Sequence, residues 1–349
     1  MLKPHNRAEL AFETIREIGA EGKNSTVFLA KDHQLNAELV IKRIAKSTMP
    51  NQALYFQEAS ILYQSEHANV VPVHYACEDK DSIYIAMPYF EKGSLKALLN
   101  TRFLTVREIV RLSVQFLSGL HNIHTKGLIH FDIKPDNILL SKRGEALVSD
   151  FGLAQRMTPE GVARQDISYQ KITPPERLAR KADFTVAHDI YQVGATLYRM
   201  CVGEKAFHEQ WDAFFPGGVP RGDLFVAAVT NGTFPDRKRF PEQIPQRLRA
   251  IVVKCLAPAE EDRYGSVLEI TNALSEIDGP ELDWRYDIQP DGTRTWLKVS
   301  DGLECILTVD PKGDSIAKKQ NKNGVYNNLR AHCVKDATSK SIRDFIKSN

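Results

Sequence analysis

Between Gly127 and Gln155 the chain reads GLIHFDIKPDNILLSKRGEALVSDFGLAQ. Asp132, Lys134, Asn137 and Asp150 in that stretch are the residue types that phosphate chemistry needs. Moving a terminal phosphoryl group from a nucleotide to a hydroxyl asks for positioning and charge neutralisation more than for covalent help. Magnesium, the usual ion of that chemistry, takes one or two carboxylate or amide oxygens besides phosphate oxygens and water. Asn137 lies five residues after Asp132, a spacing that lets one loop aim both side chains inward. Asp150 follows an apolar strand and is loosened by Gly152, so its carboxylate can turn toward phosphates. A cap or a turn would explain either residue alone. Both together, within D-x-K-P-x-N and SDFG, argue for metal ligation.

The elements that must position these groups fall into three textures. Up to about residue 90 the chain reads as short strands, STVFLAKD and AELVIKRI about a polar HQLN turn and SIYIAMPYF further on. Between them NQALYFQEASILYQSE puts Ala53, Phe56, Ile61 and Leu62 near helical spacing. From Ser94 the pattern is helical. One run opens on a Thr105 cap and stops at Gly127, and others cover about 187–202, 223–231, 245–256 and 265–277. After about residue 280, alternating runs separated by Pro-Asp-Gly, Pro-Lys-Gly and Lys-Asn-Gly predict an antiparallel meander of three or four strands. A Thr338/Ser339 cap then starts a short last helix.

The motifs resemble a eukaryotic-type serine/threonine protein kinase over roughly residues 12–277. The resemblance implies an α+β, bilobal kinase fold: a β-rich N-lobe at about 12–88 and a helical C-lobe at about 91–278, with a deep seam between them. Residues 279–349, a small β-meander plus helix, match no recognised family. By resemblance Asp132 accepts the proton of the substrate hydroxyl, and Lys134 neutralises the transferring phosphate and favours Ser/Thr over Tyr substrates. Asn137 and Asp150 bind Mg²⁺. Lys42, closing the ELVIK strand, clamps the ATP phosphates and is held by a helix glutamate, Glu58 in preference to Glu66. The adenine is placed among Val27, Val40 and Leu139, with Met87 as gatekeeper and Tyr89 and Phe90 in a hinge where Pro88 replaces the usual acid. The glycine-rich loop is blurred: Ala20, Gly22 and Ser25 fill its three positions, with Ile18 and Gly19 leading in. Glu176, Arg263 and Asp189 match the scaffold residues of the lower lobe.

One letter departs from the family. Phe131 stands where an arginine usually precedes the catalytic aspartate, and that arginine receives a phosphorylated activation segment. Phe131 removes a regulatory clasp and leaves the reacting groups in place. The sequence therefore predicts an active kinase that autophosphorylates at Thr158, Ser168, Tyr169 or Thr173 without requiring it. The alternative is a pseudokinase that binds nucleotide as a scaffold.

Bulk properties exclude little else. The 349 residues are 42% hydrophobic and 26% charged with a net charge of +2, too small a field to indicate nucleic acid. No apolar run is long enough to span a membrane and the first residues carry no secretory pattern. Five dispersed cysteines fit a reducing cytoplasm. A protein substrate is the expected partner, and the C-terminal part has docking of a substrate or a regulator open to it. Its Trp284, Tyr286, Trp296 and Tyr326 make either an exposed aromatic platform or the core of a small sheet.

Overall fold

The computed structural model describes residues 11–19, 25–48, 56–166, 170–219 and 221–349. Ala20, Gly22, Ser168 and Tyr169 lie outside them. The chain divides into two compact units, Met1–Glu91 and Lys92–Asn349.

The first unit is a five-stranded antiparallel sheet with one helix. Its strands are β1 (Phe12–Gly19), β2 (Ser25–Asp32), β3 (Ala37–Ala45), β4 (Tyr75–Glu78) and β5 (Ser82–Pro88), and α1 (Gln57–Gln64) lies between β3 and β4 in sequence. They order as β1-β2-β3-β5-β4. Period-2 alternation decides what each face carries. Phe28, Ala30, Leu39, Ile41 and Ala86 form one core with Phe12 against it. Ile44, Ile83 and Ile85 pack with Ala59 of α1. The turn after β2 is built by Asp32, whose Oδ1 accepts the N–H groups of Gln34 at 2.9 Å and Leu35 at 2.8 Å.

The second unit begins with α2 (Leu95–Thr101) and α3 (Val106–Thr125). Thr105 and Glu108 close a reciprocal capping box at the start of α3, and Gly127, at φ +72°, turns the chain out after its end. Two short ribbons follow, β6 (Leu128–Ile129) with β9 (Gln155–Arg156) and β7 (Ile138–Leu140) with β8 (Ala146–Val148). The helices α4 (Pro175–Leu178), α5 (Ala187–Val202), α6 (Glu204–Asp212), α7 (Gly222–Thr230), α8 (Gln246–Cys255) and α9 (Val267–Ser275) complete the helical part. Every residue of α5 is buried, polar ones included.

The last seventy or so residues hold five strands, not three or four: β10 (Arg285–Ile288), β11 (Arg294–Ser300), β12 (Leu303–Val309), β13 (Ser315–Gln320) and β14 (Tyr326–Asn328), in sequential order. The extra count comes from the short β14, which pairs only three residues with β13. The helix α10 (Ser339–Ser348), capped by Thr338, covers one face. Trp284, Tyr286 and Trp296 join Leu307, Ile342 and Phe345 in that core, so these three are packing residues, while Tyr326 is exposed. This C-terminal part is fastened to the rest of its unit: Trp296 Nε1 donates to Gln243 Oε1 at 2.9 Å and Arg294 pairs with Glu242 at 2.9 Å, both in the loop before α8, and Arg107 of α3 pairs with Asp283 just before β10 at 2.6 Å. The fold class is α+β, a β-rich N-terminal sheet, a helical region and a C-terminal antiparallel sheet with its helix. Among the described residues no helix is long and apolar enough to cross a membrane.

Candidate functional site

The catalytic-loop residues sit where three buried polar side chains of α5 hold the backbone. Asp189 Oδ2 accepts the His130 N–H and Oδ1 accepts the Phe131 N–H, both at 2.8 Å. Gln192 accepts the Ile133 N–H at 2.9 Å and donates to the Phe131 carbonyl at 2.9 Å, and Thr196 donates to the Ile133 carbonyl at 3.3 Å. Positions 189, 192 and 196 lie on one face of the helix. Phe131 needs that support, since it sits at φ +67°, a conformation costly for a bulky side chain. Gln192, Thr196 and His124, which bonds Asp189 Oδ2 at 2.8 Å, were not among the expected residues. The legible signal was polar residues spaced i, i+3, i+7 at 189, 192 and 196. Burial alone would raise the Asp189 carboxyl, but the His124 hydrogen bond carries it below its usual range.

Within the loop, Asp132 Oδ2 accepts from Lys134 Nζ and from Asn137 Nδ2, each at 2.8 Å. Asn137 Nδ2 also donates to the Asp132 carbonyl at 2.9 Å. That spends the amide N–H groups of Asn137 on Asp132 and leaves its oxygen for a cation. Asp132 Oδ1 is buried and has no hydrogen-bond partner among the described residues.

Asp150 is brought beside Asn137 by the β7–β8 ribbon. Ile138 pairs with Val148, and the next residue, Ser149, donates its N–H at 2.9 Å and its hydroxyl at 3.0 Å to the Asn137 carbonyl. Asp150 itself is at φ +60°. His130 ties the two segments: its Nε2 donates to the Ser149 carbonyl at 3.1 Å and its Nδ1 accepts the Asp132 N–H at 3.2 Å. Those partners require a neutral ring protonated on Nε2, in keeping with burial, which lowers its pKa against the pull of Asp189 and Asp132. Leu139 is the half-buried residue of β7 between two buried ones.

In the first unit the β2–β3–β5 register gathers four more candidates on one face. Val27 lies opposite Lys42, and Val40 opposite Met87. Lys42 Nζ meets Glu58 Oε1 at 2.7 Å, with both side chains 11% exposed. Glu66 is exposed, so the helix glutamate Glu58 is the one that pairs. Ile18 and Gly19 end β1, Ser25 starts β2, and the Tyr89 hydroxyl accepts from Arg16 at 3.4 Å.

Phe131 is fully buried against Phe184, His188, Ile129 and Ala163. An apolar cluster thus joins the loop at Phe131 to segment 153–163 through Leu153, Met157 and Ala163. Thr158 in that segment is exposed, whereas Thr173 is 4% exposed, which withholds its hydroxyl. Both ring nitrogens of His188 are buried without hydrogen-bond partners among the described residues. Burial pushes this imidazole down to about 3, although Asp189 draws it the other way. The folded ring stays neutral where an unfolded one, at 6.5, takes a proton. Its contribution to stability is therefore full above pH 6.5 and is lost as the pH falls toward about 3. Replacing His188 by leucine is expected to flatten the acid limb of a denaturant-midpoint profile; a slope unchanged from the parent protein would refute this.

The buried pair Arg263–Glu176 fastens the end of the same segment at 2.7 Å.

A family model described as protein kinase domain matches residues 12–275. The chain belongs to the protein kinase family, and the eukaryotic-type serine/threonine class read from its motifs holds. Among curated relatives it is similar to the serine/threonine-protein kinase PknD of Chlamydia muridarum, 27% identical over 311 residues, or 78% of this chain and 32% of the relative. PknD of Chlamydia pneumoniae is 28% identical over 319 residues, 82% of this chain and 33% of the relative. A probable serine/threonine-protein kinase PknB of Lactococcus lactis is 27% identical over 269 residues, covering 74% and 40%. The chain spans about a third of the length of the chlamydial relatives it matches.

Proposed function

We propose that this chain is an active serine/threonine protein kinase that transfers the γ-phosphoryl group of ATP to hydroxyls of proteins. The observation that carries this reading is Asp132, with Oδ2 fixed by Lys134 and Asn137 and Oδ1 buried without a hydrogen-bond partner among the described residues. Oδ1 takes the proton of the acceptor hydroxyl as its oxygen attacks phosphorus. Lys134, already beside that carboxylate, neutralises charge on the phosphoryl group in flight. Lys42, aimed by Glu58, holds the nucleotide phosphates. Ile18, Gly19, Ser25, Val27, Val40, Met87, Tyr89, Phe90 and Leu139 contact the nucleotide. The oxygen of Asn137 and the carboxylate of Asp150 suit magnesium, a hard cation that takes oxygen ligands. When bound, magnesium screens phosphate charge and orients the leaving group. A cytoplasmic setting suits the five cysteines, none of which is in a disulfide.

Activation follows from Phe131. Its apolar cluster supplies the attachment that a phosphate–arginine pair would otherwise give, so phosphorylation at Thr158, Ser168 or Tyr169 is an outcome of activity and not a condition for it. The test uses γ-labelled ATP, Mg²⁺ and a serine-bearing peptide. Lys42→Ala is expected to lose roughly 10²–10³-fold in turnover, the cost of removing one preorganised charge. A triple variant, Thr158→Ala, Ser168→Ala and Tyr169→Phe, is expected to stay within about threefold, under 1 kcal/mol of barrier. No label from the parent protein overturns the catalytic reading; label lost only in the triple variant overturns the activation reading.

A further inference from the structure

Away from the catalytic elements, one face of α8 closes a groove against the loop before it. The cavity is about 450 Å³. Arg249, Val253 and Lys254 line it from the helix, on one face by their spacing, and Arg237, Lys238 and Phe240 line it from the loop. Four of these six are cations, and no acid is among the lining residues.

The two guanidinium groups are anchored from behind. Arg249 donates from Nε to the Ile244 carbonyl at 2.8 Å and from Nη2 to the Pro241 carbonyl at 2.9 Å. Arg237 Nη2 donates to the Leu256 carbonyl at 2.5 Å, while its Nε is buried without a hydrogen-bond partner among the described residues. Lys254 lies over the Tyr264 ring at 4.2 Å, and Lys238 is exposed. The acids nearby are engaged elsewhere. Glu209 pairs with Arg239 at 3.1 Å, Glu242 pairs with Arg294 at 2.9 Å while its charge also favours the Arg249 cation, and Asp236 accepts the Lys238 N–H at 2.9 Å. Among the described residues none of the four cations has a carboxylate partner. The two half-buried guanidinium groups, held in place without an ion-pair partner, are costly unless an anion completes them.

The shape indicates which anion. From Gln246 to Lys254 the helix face runs about 12 Å, the length of roughly four residues of extended chain. Cations line both walls, and Phe240 and Val253 are the apolar side chains among these six, with the Phe240 ring mostly covered and the Arg249 guanidinium 5.7 Å from its centre. We propose that this groove binds a short acidic peptide segment. Its carboxylates meet Arg237, Lys238, Arg249 and Lys254, and one apolar side chain rests on Phe240 and Val253.

The test is fluorescence anisotropy on the full chain without nucleotide, using a labelled Glu-Glu-Leu-Glu-Glu peptide and a lysine counterpart. The acidic peptide is expected to bind, more weakly as salt rises, and the basic one not to bind. The double variant Lys238→Glu/Lys254→Glu changes two exposed side chains and is expected to keep its melting temperature while losing affinity by roughly tenfold or more. Arg249→Ala provides a second reversal, and Asp132→Asn is expected to bind the peptide as the parent chain does. Equal binding by the double variant, or by the lysine peptide, overturns the proposal. So does inorganic tripolyphosphate that competes at lower concentration than the acidic peptide itself, which would make the groove a phosphate site.

Discussion

Replacing Asp132 by asparagine is expected to lower the turnover of a peptide substrate by about 10²–10⁴-fold, the range of a positioned general base. The change is nearly isosteric, so the fold should tolerate it. Its effect is chemical. One amide oxygen can still accept from Lys134 and Asn137, as Oδ2 does now at 2.8 Å. The other position, Oδ1, becomes an N–H₂ group that cannot take a proton from the incoming hydroxyl. Nucleotide affinity should be unchanged, because no nucleotide contact is assigned to this residue. Single-turnover transfer from labelled ATP, set beside equilibrium nucleotide binding, separates the two. Turnover retained within a few-fold would remove Asp132 from the chemistry and favour a nucleotide-binding scaffold.

Arg263→Ala is expected to cost about 3–5 kcal/mol of stability, the range for breaking a buried ion pair by removing one partner. Arg263 is 4% exposed and donates to both Glu176 oxygens, at 2.9 and 2.7 Å. It also donates to the carbonyls of Ala187, Ala257 and Pro258 at 2.9, 2.8 and 3.1 Å. Its guanidinium lies 5.0 Å from the Tyr191 ring centre. Alanine removes all of these at once and leaves the Glu176 carboxylate buried without its cation. Denaturant unfolding followed by tryptophan fluorescence measures the loss. Because the pair holds the chain at Glu176, partial proteolysis near residues 164–176 should rise as well. A shift under about 1 kcal/mol would mean that this pair is exposed to solvent in solution, where ion pairs contribute little.

Much of this protein could be read before any coordinates. Asp132, Lys134, Asn137 and Asp150 are local in sequence, and local spacing carries their geometry: a five-residue loop and an adjoining hairpin suffice to bring them together. The span 187–202 of α5 is as expected because its apolar residues recur at helical spacing and the helix ends at Gly203, which takes φ +86°. Strands β1 and β4 were less legible. Both are edge strands, and β1 is mostly exposed, so neither shows a strong apolar alternation. Helix α6 follows α5 with only Gly203 between them, which hides the boundary.

The amino-acid sequence by itself determined the class of chemistry, since residue type and short spacing are properties of the chain. Tertiary structure decided the contacts made across long separations. It chose Glu58, sixteen residues from Lys42, over Glu66, because Glu58 lies on α1 while Glu66 falls past the end of that helix and is exposed. It placed Asp189, Gln192 and Thr196 under a loop some sixty residues upstream. It also decided what Phe131 does. In the sequence that residue is a missing charge; in the fold it is the centre of an apolar cluster with Phe184 and Ala163. A side chain's energy depends on which groups surround it, and Ala163 and Phe184 come to Phe131 from more than thirty positions away.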